Sequence, residues 1–197
     1  MDGQPSDPIH AEIKTAIVAG AYRQALELLA RTYLDTVYAY CLRMLHGDAG
    51  RAKDVTQQVF EEVCNGIAAF RGEASAKTWL LAIARNQCLK DITARERRGN
   101  LLRQHHEDVA ERVHVASPRG SEAVLLSQEG LARLQEALDR LEPDARSMLI
   151  LRFGLGKPHE IPVDELAGML GLSRATAYRK LQQALARLKR MLHDGAA

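Results

Sequence analysis

Asp164-Glu-Leu-Ala-Gly-Met-Leu-Gly-Leu-Ser-Arg-Ala-Thr-Ala-Tyr-Arg-Lys180 reads as two short helices around a sharp turn. A helix-turn-helix needs a small side chain where its second helix crosses the first, and Ala167 supplies it. Four residues later it needs a glycine, because a Cβ would strain the backbone of the turn; Gly171 stands there. Leu166, Leu170, Leu172 and Ala177 can fill the small core between the helices, and Ser173 is a good N-cap for the second. An ordinary helical hairpin could meet several of these demands, so charge has to decide between them.

From Leu166 to Leu192 there is no Asp or Glu, while Arg174, Arg179, Lys180, Arg187, Lys189 and Arg190 are all basic. A solvated face normally mixes signs, as residues 139–165 do with four basic and six acidic residues. A helix lying between two rows of phosphates carries acids only at a cost. The segment therefore reads as DNA-binding. Arg174, Thr176, Tyr178, Arg179 and Lys180 project from the start of the second helix, the part that meets base edges. Which of them read bases and which grip phosphate stays open.

Outward from this motif the periodicity is helical throughout. Leu181, Leu185, Leu188 and Leu192 extend the last helix. Upstream, Leu131, Leu134, Leu138 and Leu141 mark another, and Pro143 suits the first turn of a helix reaching about Phe153. Gly154, Gly156, Pro158 and Pro162 make the loop between, with Gly-Lys-Pro-His159 inside it. In the first half, Leu34, Val37, Tyr38, Cys41, Leu42 and Leu45 share a helix face, ended by His46-Gly47-Asp48. Val55, Val59, Val63 and Ile67 form a second stripe, with Phe60 beside it. Phe70 to Ser75 is a loop, broken by Gly72, from which Ser75 caps a helix running from Ala76 to Arg95-Glu-Arg-Arg98. An earlier helix is expected around Ile13 to Leu29.

These elements predict an all-α chain of two small helical domains, at 1–98 and 130–197, joined by a flexible linker over 99–129 where the pattern fades. The chain of 197 residues is 46% hydrophobic and 26% charged, ordinary for a folded soluble protein, and its net charge of +2 hides the uneven distribution. Its first residues lack the basic start and apolar run of a secretory signal, and no stretch is apolar for long enough to insert in a membrane. A cytoplasmic location is the expectation. Cys41, Cys64 and Cys88 include no CxxC pair and read as small hydrophobes rather than sensing thiols.

The first domain carries its own basic helix. Between Arg85 and Arg103 six basic residues face only Asp91 and Glu96, and Trp79 lies just upstream. A tryptophan beside a basic helix suits stacking on an unpaired base, although alone Trp79 reads first as a core residue. Asn86 can hydrogen-bond a base edge, or be a surface amide without consequence. An enzyme using His105, His106 and His114 with nearby acids is a rival reading, but no HExxH spacing and no glycine-rich phosphate loop accompany them. No catalytic residue, metal or cofactor is expected. A second rival is a stand-alone helix-turn-helix regulator with a sensing or dimerising N-terminal bundle, which would not need the second basic helix.

Two strings carry a family resemblance. Ala52-Lys-Asp-Val-Thr-Gln-Gln-Val-Phe60 and Phe70-Arg-Gly-Glu-Ala-Ser-Ala-Lys-Thr-Trp-Leu-Leu-Ala-Ile-Ala-Arg-Asn86 closely resemble region 2 of extracytoplasmic-function sigma factors of the sigma-70 family. Leu138 through Leu192 resembles their region 4. The resemblance implies a promoter-recognising subunit of RNA polymerase, without enzymatic activity of its own. It implies that Asp54, Gln57, Gln58, Phe60 and Glu61 dock on the β′ clamp helices of core polymerase, with the β flap as a further contact. It implies that Phe70 and Arg71 in the loop, with Trp79, Arg85, Asn86 and Lys90, handle the locally melted −10 element, and that Arg174 to Lys180 read the double-stranded −35 element. An anti-sigma factor is the family's usual partner. Three departures are visible: Lys53 precedes Asp54 where an acidic pair is usual, Glu62-Val-Cys64 stands in place of a tryptophan, and the loop between Arg152 and Ala167 is longer than usual.

Overall fold

The computed structural model describes residues 8–103, 128–154 and 161–194. Helices and turns build all of it, and no strand occurs among the described residues. The helices group into two units, the first holding α1 (Pro8–Val18), α2 (Tyr22–Met44), α3 (Ala49–Gly66), a 3-10 turn (Ile67–Ala69) and α4 (Ala76–Arg103). The second holds α5 (Gln128–Asp139), α6 (Pro143–Phe153), α7 (Val163–Met169) and α8 (Arg174–Asp194).

The single helix expected over Ile13–Leu29 is two helices. Gly20, at φ +72°, takes the left-handed conformation, and the Ala21 N–H donates back to the Ala16 carbonyl at 2.8 Å. This Schellman closure ends α1 and frees the chain to reverse into α2. The buried face of α2 also differs from the sequence expectation. Leu29, Tyr33, Val37, Tyr40, Cys41 and Met44 are buried, while Leu34 stays 47% exposed and Tyr38 and Leu42 are half-buried. Two apolar stripes run side by side on this helix, and period alone does not say which one meets a neighbour.

α3 behaves as its pattern predicts. Asp48 caps it, accepting from the Arg51 N–H at 3.0 Å, and Val55, Val59, Val63 and the following Ile67 are buried. α2, α3 and α4 pack against one another, and α1 closes on α2 through Ile13, Ala16 and Ile17. Each such side chain, fully buried, contributes roughly 1.5–3 kcal/mol. The one buried hydroxyl of α3, on Thr56, is satisfied by donating to the Ala52 carbonyl at 2.6 Å. Cys41 and Cys88 are core residues as expected, whereas Cys64 is exposed on the outer face of α3. The hydrogen bond between Cys41 and Cys88, together with burial, pushes the Cys88 thiol far up, so it stays protonated. α4 runs beyond the charged stretch at residues 95–98 to Arg103, because Gly99 costs a helix only about 1 kcal/mol and no proline follows. The linker expected over 99–129 thus has a helical start at 99–103 and a helical end from Gln128, and residues 104–127 lie outside the described residues.

The second unit is organised around a buried cation. Pro143 opens α6 at its first position, as its fixed φ favours, and Arg146 one turn later is only 2% exposed. Its Nε donates to the Leu138 carbonyl at 3.0 Å, and its Nη2 to the carbonyls of Asp139 at 3.0 Å and Leu141 at 3.2 Å. Leu138 and Asp139 end α5 and Leu141 follows in the turn, so the guanidinium caps that helix end from the side, adding to the bond the Leu138 carbonyl already accepts from the Leu141 N–H at 3.1 Å. Burial lowers the Arg146 pKa, and the Asp139 carboxylate, 4.0 Å away, acts against that shift. Gly154, in the left-handed conformation, ends α6; Ile161 is buried and its N–H donates to the Leu151 carbonyl at 3.2 Å. Most of the loop expected around Gly156 to His159 lies outside the described residues.

Replacing Arg146 by methionine keeps the volume but removes the three hydrogen bonds its guanidinium donates to these carbonyls. We expect R146M to lose on the order of 3 kcal/mol, read as a lower urea midpoint in far-ultraviolet circular dichroism. An unchanged midpoint would show that the caps contribute nothing.

Candidate nucleic-acid interface

In the second unit the turn between α7 and α8 has the geometry its sequence demands. Gly171 sits at φ +61°, the Gly171 N–H donates to the Gly168 carbonyl at 3.2 Å, and the Leu172 N–H reaches the Ala167 carbonyl at 2.9 Å. Leu166 and Ala177 are fully buried and Ala167 nearly so, while Leu170 and Leu172 are half-buried at the edge of this small core. Ser173 caps α8: its Oγ accepts from the Thr176 N–H at 3.2 Å and donates to Thr176 Oγ1 at 2.9 Å. Thr176 is thereby drawn into the cap and half-buried, so it projects less than the sequence suggests.

Arg174, Tyr178, Arg179 and Lys180 are exposed, Tyr178 at 56%. Gln182 and Gln183 continue the same outer face one turn later. Sequence reading passed over these two amides, although their spacing of three and four from Arg179 would have found them. The Arg174 Nε lies 3.0 Å from the Asp164 carboxylate; both groups are largely exposed, so the pair adds little stability and the guanidinium can be drawn away. Leu181 and Ala184 are buried, and Leu185, Leu188 and Leu192 are half-buried.

In the first unit the loop between the 3-10 turn and α4 is held from both ends. Ser75 Oγ accepts from the Thr78 N–H at 3.0 Å, the expected cap, and the Ala76 N–H donates to His10 Nδ1 of α1 at 3.0 Å. The Phe70 ring lies against Trp79, centroids 4.8 Å apart and tilted by 41°, and His10 meets Phe70 edge-on at 6.3 Å. Both Phe70 and Trp79 are half-buried, so Trp79 is neither a closed core residue nor free of packing. Arg71 is exposed. His10 has no signal in the sequence, since it reaches the loop across 66 positions.

Along α4, Asn86, Leu89, Lys90, Thr93, Ala94 and Arg97 line one shallow outward groove. Thr93 and Arg97 join the expected Asn86 and Lys90 on this stripe at seven and eleven residues from Asn86. Arg85, one position aside, is half-buried with its Nε enclosed. Of the two acids on α4, Glu96 is exposed and Asp91 is paired. Asp91 is bound by Arg51 of α3, whose Nε lies 3.0 Å from it, and Glu62 of α3 takes a hydrogen bond from Gln87 and stands 3.9 Å from the Lys90 ammonium. On α3, Asp54, Gln57, Gln58 and Glu61 form one exposed face that continues to Cys64, with Gln57 donating to Glu61 at 2.9 Å; Phe60 is half-buried at its border. No His, Cys, Asp or Glu cluster fit for a metal occurs among the described residues, and His105, His106 and His114 lie outside them.

The family model for Sigma-70 region 2 matches residues 29–98, and that for Sigma-70 region 4 matches residues 131–188. The chain is similar to the ECF RNA polymerase sigma factor SigX of Bacillus subtilis, 29% identical over 134 residues and 66% of each chain. It is 27% identical to the RNA polymerase sigma factor YlaC of the same species over 86% of this chain and 92% of the relative. It is 29% identical to the ECF RNA polymerase sigma factor SigE of Mycolicibacterium smegmatis over 91% and 68%. Among solved structures, the fold resembles that of the sigma factor RpoE in complex with the anti-sigma factor NepR from Bartonella quintana. That match has a TM-score of 0.63 at 20% identity, covering 88% of this chain and 97% of the other. It also resembles CnrH in complex with the cytosolic domain of CnrY, with a TM-score of 0.59 at 18% identity, covering 92% and 98%.

A Cβ at Gly171 would meet nothing within 4 Å, so a substitution there is penalised by the backbone alone. G171A should cost about 1–2 kcal/mol in urea unfolding, and G171N less, because asparagine tolerates the left-handed region. Equal losses would show that sterics, not conformation, select the glycine.

Proposed function

This chain belongs to the sigma-70 family as an RNA polymerase sigma factor of the extracytoplasmic-function type, and from that premise we propose how its residues divide the work. The outer face of α3, with Asp54, Gln57, Gln58 and Glu61 and Phe60 at its edge, docks on the β′ clamp helices, and the region 4 unit meets the β flap. The start of α8, through Arg174, Thr176, Tyr178, Arg179 and Lys180, enters the major groove of the −35 element, with Gln182 and Gln183 on the same face. The outward stripe of α4, Asn86 and Lys90 with Thr93 and Arg97, follows the −10 element beside Arg85. The loop from Phe70 through Arg71 to Ser75, against Trp79, holds a base lifted from the non-template strand.

The observation that carries this reading is a mostly basic exposed face in each unit: on α4 Asp91 is taken by Arg51 and Lys90 and Arg97 face outward, and on α8 Arg174, Arg179 and Lys180 are exposed. Two modest contacts on one tether gain by effective concentration, so neither need bind tightly alone. Holding an unstacked base offsets part of the few kcal/mol needed to unpair it. The chain itself makes and breaks no covalent bond. Its working place is the cytoplasm, where polymerase and DNA are; no helix among the described residues is long and apolar enough to cross a membrane. An anti-sigma factor belongs among its partners on this reading, and two structures with the same fold were captured with such factors or a cytosolic partner domain.

Run-off transcription with purified core polymerase on genomic fragments tests the reading. Specific transcripts that require the protein are expected; operator-like footprints by the free protein, with no effect on initiation, would favour a stand-alone regulator. On a fragment so identified, N86A should slow strand opening by tenfold or more, about 1.4 kcal/mol, with core binding unchanged. R179E should weaken upstream-element binding and flatten its dependence on salt by about one to two charges. Comparable losses on fragments with a scrambled upstream element would assign Arg179 to non-specific contact.

A further inference from the structure

The loop at residues 70–75 is not built by the matched region alone. The Sigma-70 region 2 match begins at residue 29, yet two side chains of α1 touch the loop. His10 accepts the Ala76 N–H through Nδ1 at 3.0 Å and sets its ring edge toward Phe70. Lys14, one turn later on the same face of α1, lays its side chain over Gly72. A Cβ there would stand 3.0 Å from its Cδ and 3.4 Å from its Nζ. Gly72, at φ +69°, therefore serves both the bend and the room the lysine needs.

Charge completes the picture. The N–H groups at the start of a helix can receive an anion. Here the Ala76 N–H is taken by His10 and the Thr78 N–H by Ser75, so two of these donors are already used. A nucleotide strand entering the loop brings phosphates that need cations from elsewhere. The exposed Lys14 ammonium lies over the loop backbone where one is needed.

We propose that α1 forms a wall of the base-holding loop, in which Lys14 binds a backbone phosphate of the captured strand and His10 is a positioning residue that locks the loop to α4. This rests on the reading that the loop holds an unstacked base. An imidazole nitrogen fixed on the Ala76 N–H keeps Phe70 against Trp79, so the stacking surface is formed before the base arrives and less ordering is lost on binding.

The test uses holoenzyme and, as probe, the fluorescein-labelled non-template strand of a fragment that yields a specific run-off transcript. Affinity is measured by anisotropy over a range of salt. K14Q should bind several-fold more weakly at low salt, with a slope shallower by roughly 0.7, one phosphate contact on a single strand; K14R should restore both. H10A should weaken binding with the slope unchanged, and H10N, whose Oδ1 can accept the same N–H, should recover most of it. W79A serves as the reference for base capture, and affinity for core polymerase is followed in every variant. Wild-type affinity and slope in K14Q, with W79A impaired, would overturn the phosphate contact while leaving base capture standing. H10N as weak as H10A would overturn the positioning role. Wild-type binding by W79A as well would take down the base-holding loop itself, and with it this inference.

Discussion

The seating of α4 against α2 and α3 is the constraint on which the first unit depends. A helix has a limited circumference, and α4 commits nearly half of it to Leu80, Ala84, Cys88 and Ile92 in the core. Once those are buried, periodicity alone places Asn86, Lys90, Thr93 and Arg97 outward. The position of the proposed base reader is thus decided by apolar residues of the core. The Arg51–Asp91 pair between α3 and α4 sharpens the result. It satisfies an acid that would otherwise repel phosphate, with the Arg51 and Asp91 side chains 15% and 26% exposed.

The second unit solves a related problem with one charge. α5 and α6 meet at a corner where Arg146 supplies three donors at once to the carbonyls of Leu138, Asp139 and Leu141. A lysine could not span those acceptors from a fixed plane. With the corner rigid, Leu138, Leu141, Leu149 and Leu151 close a core onto which α7 and α8 can be laid. The small residues Ala167 and Ala177 then let the two helices cross closely, and the exposed start of α8 follows from that crossing.

Much of this was legible in the residues. The α7–α8 turn, the valine stripe of α3, the Ser75 cap and Pro143 at the head of α6 each carry a local signal, and local signals survive folding. The break at Gly20 was missed because a lone glycine in an apolar pattern also occurs within helices. The burial of α2 was misjudged at Leu34 because two stripes compete, and only the neighbours choose. His10, Lys14 and Arg146 act over tertiary contacts that no spacing encodes. The assignment of Thr176 as a projecting residue overlooked that a threonine three places after a capping serine is within reach of it.

The hydrogen bond from the Ile161 N–H to the Leu151 carbonyl has a consequence for how such proteins can diverge. It staples the chain on both sides of residues 155–160 to the end of α6, so that segment starts and finishes at fixed points. Because closure entropy grows only with the logarithm of length, adding residues between these two points would change stability little and leave α7 in place. The stretch is thus open to evolutionary experiment, able to acquire new contacts without disturbing the helix that follows it.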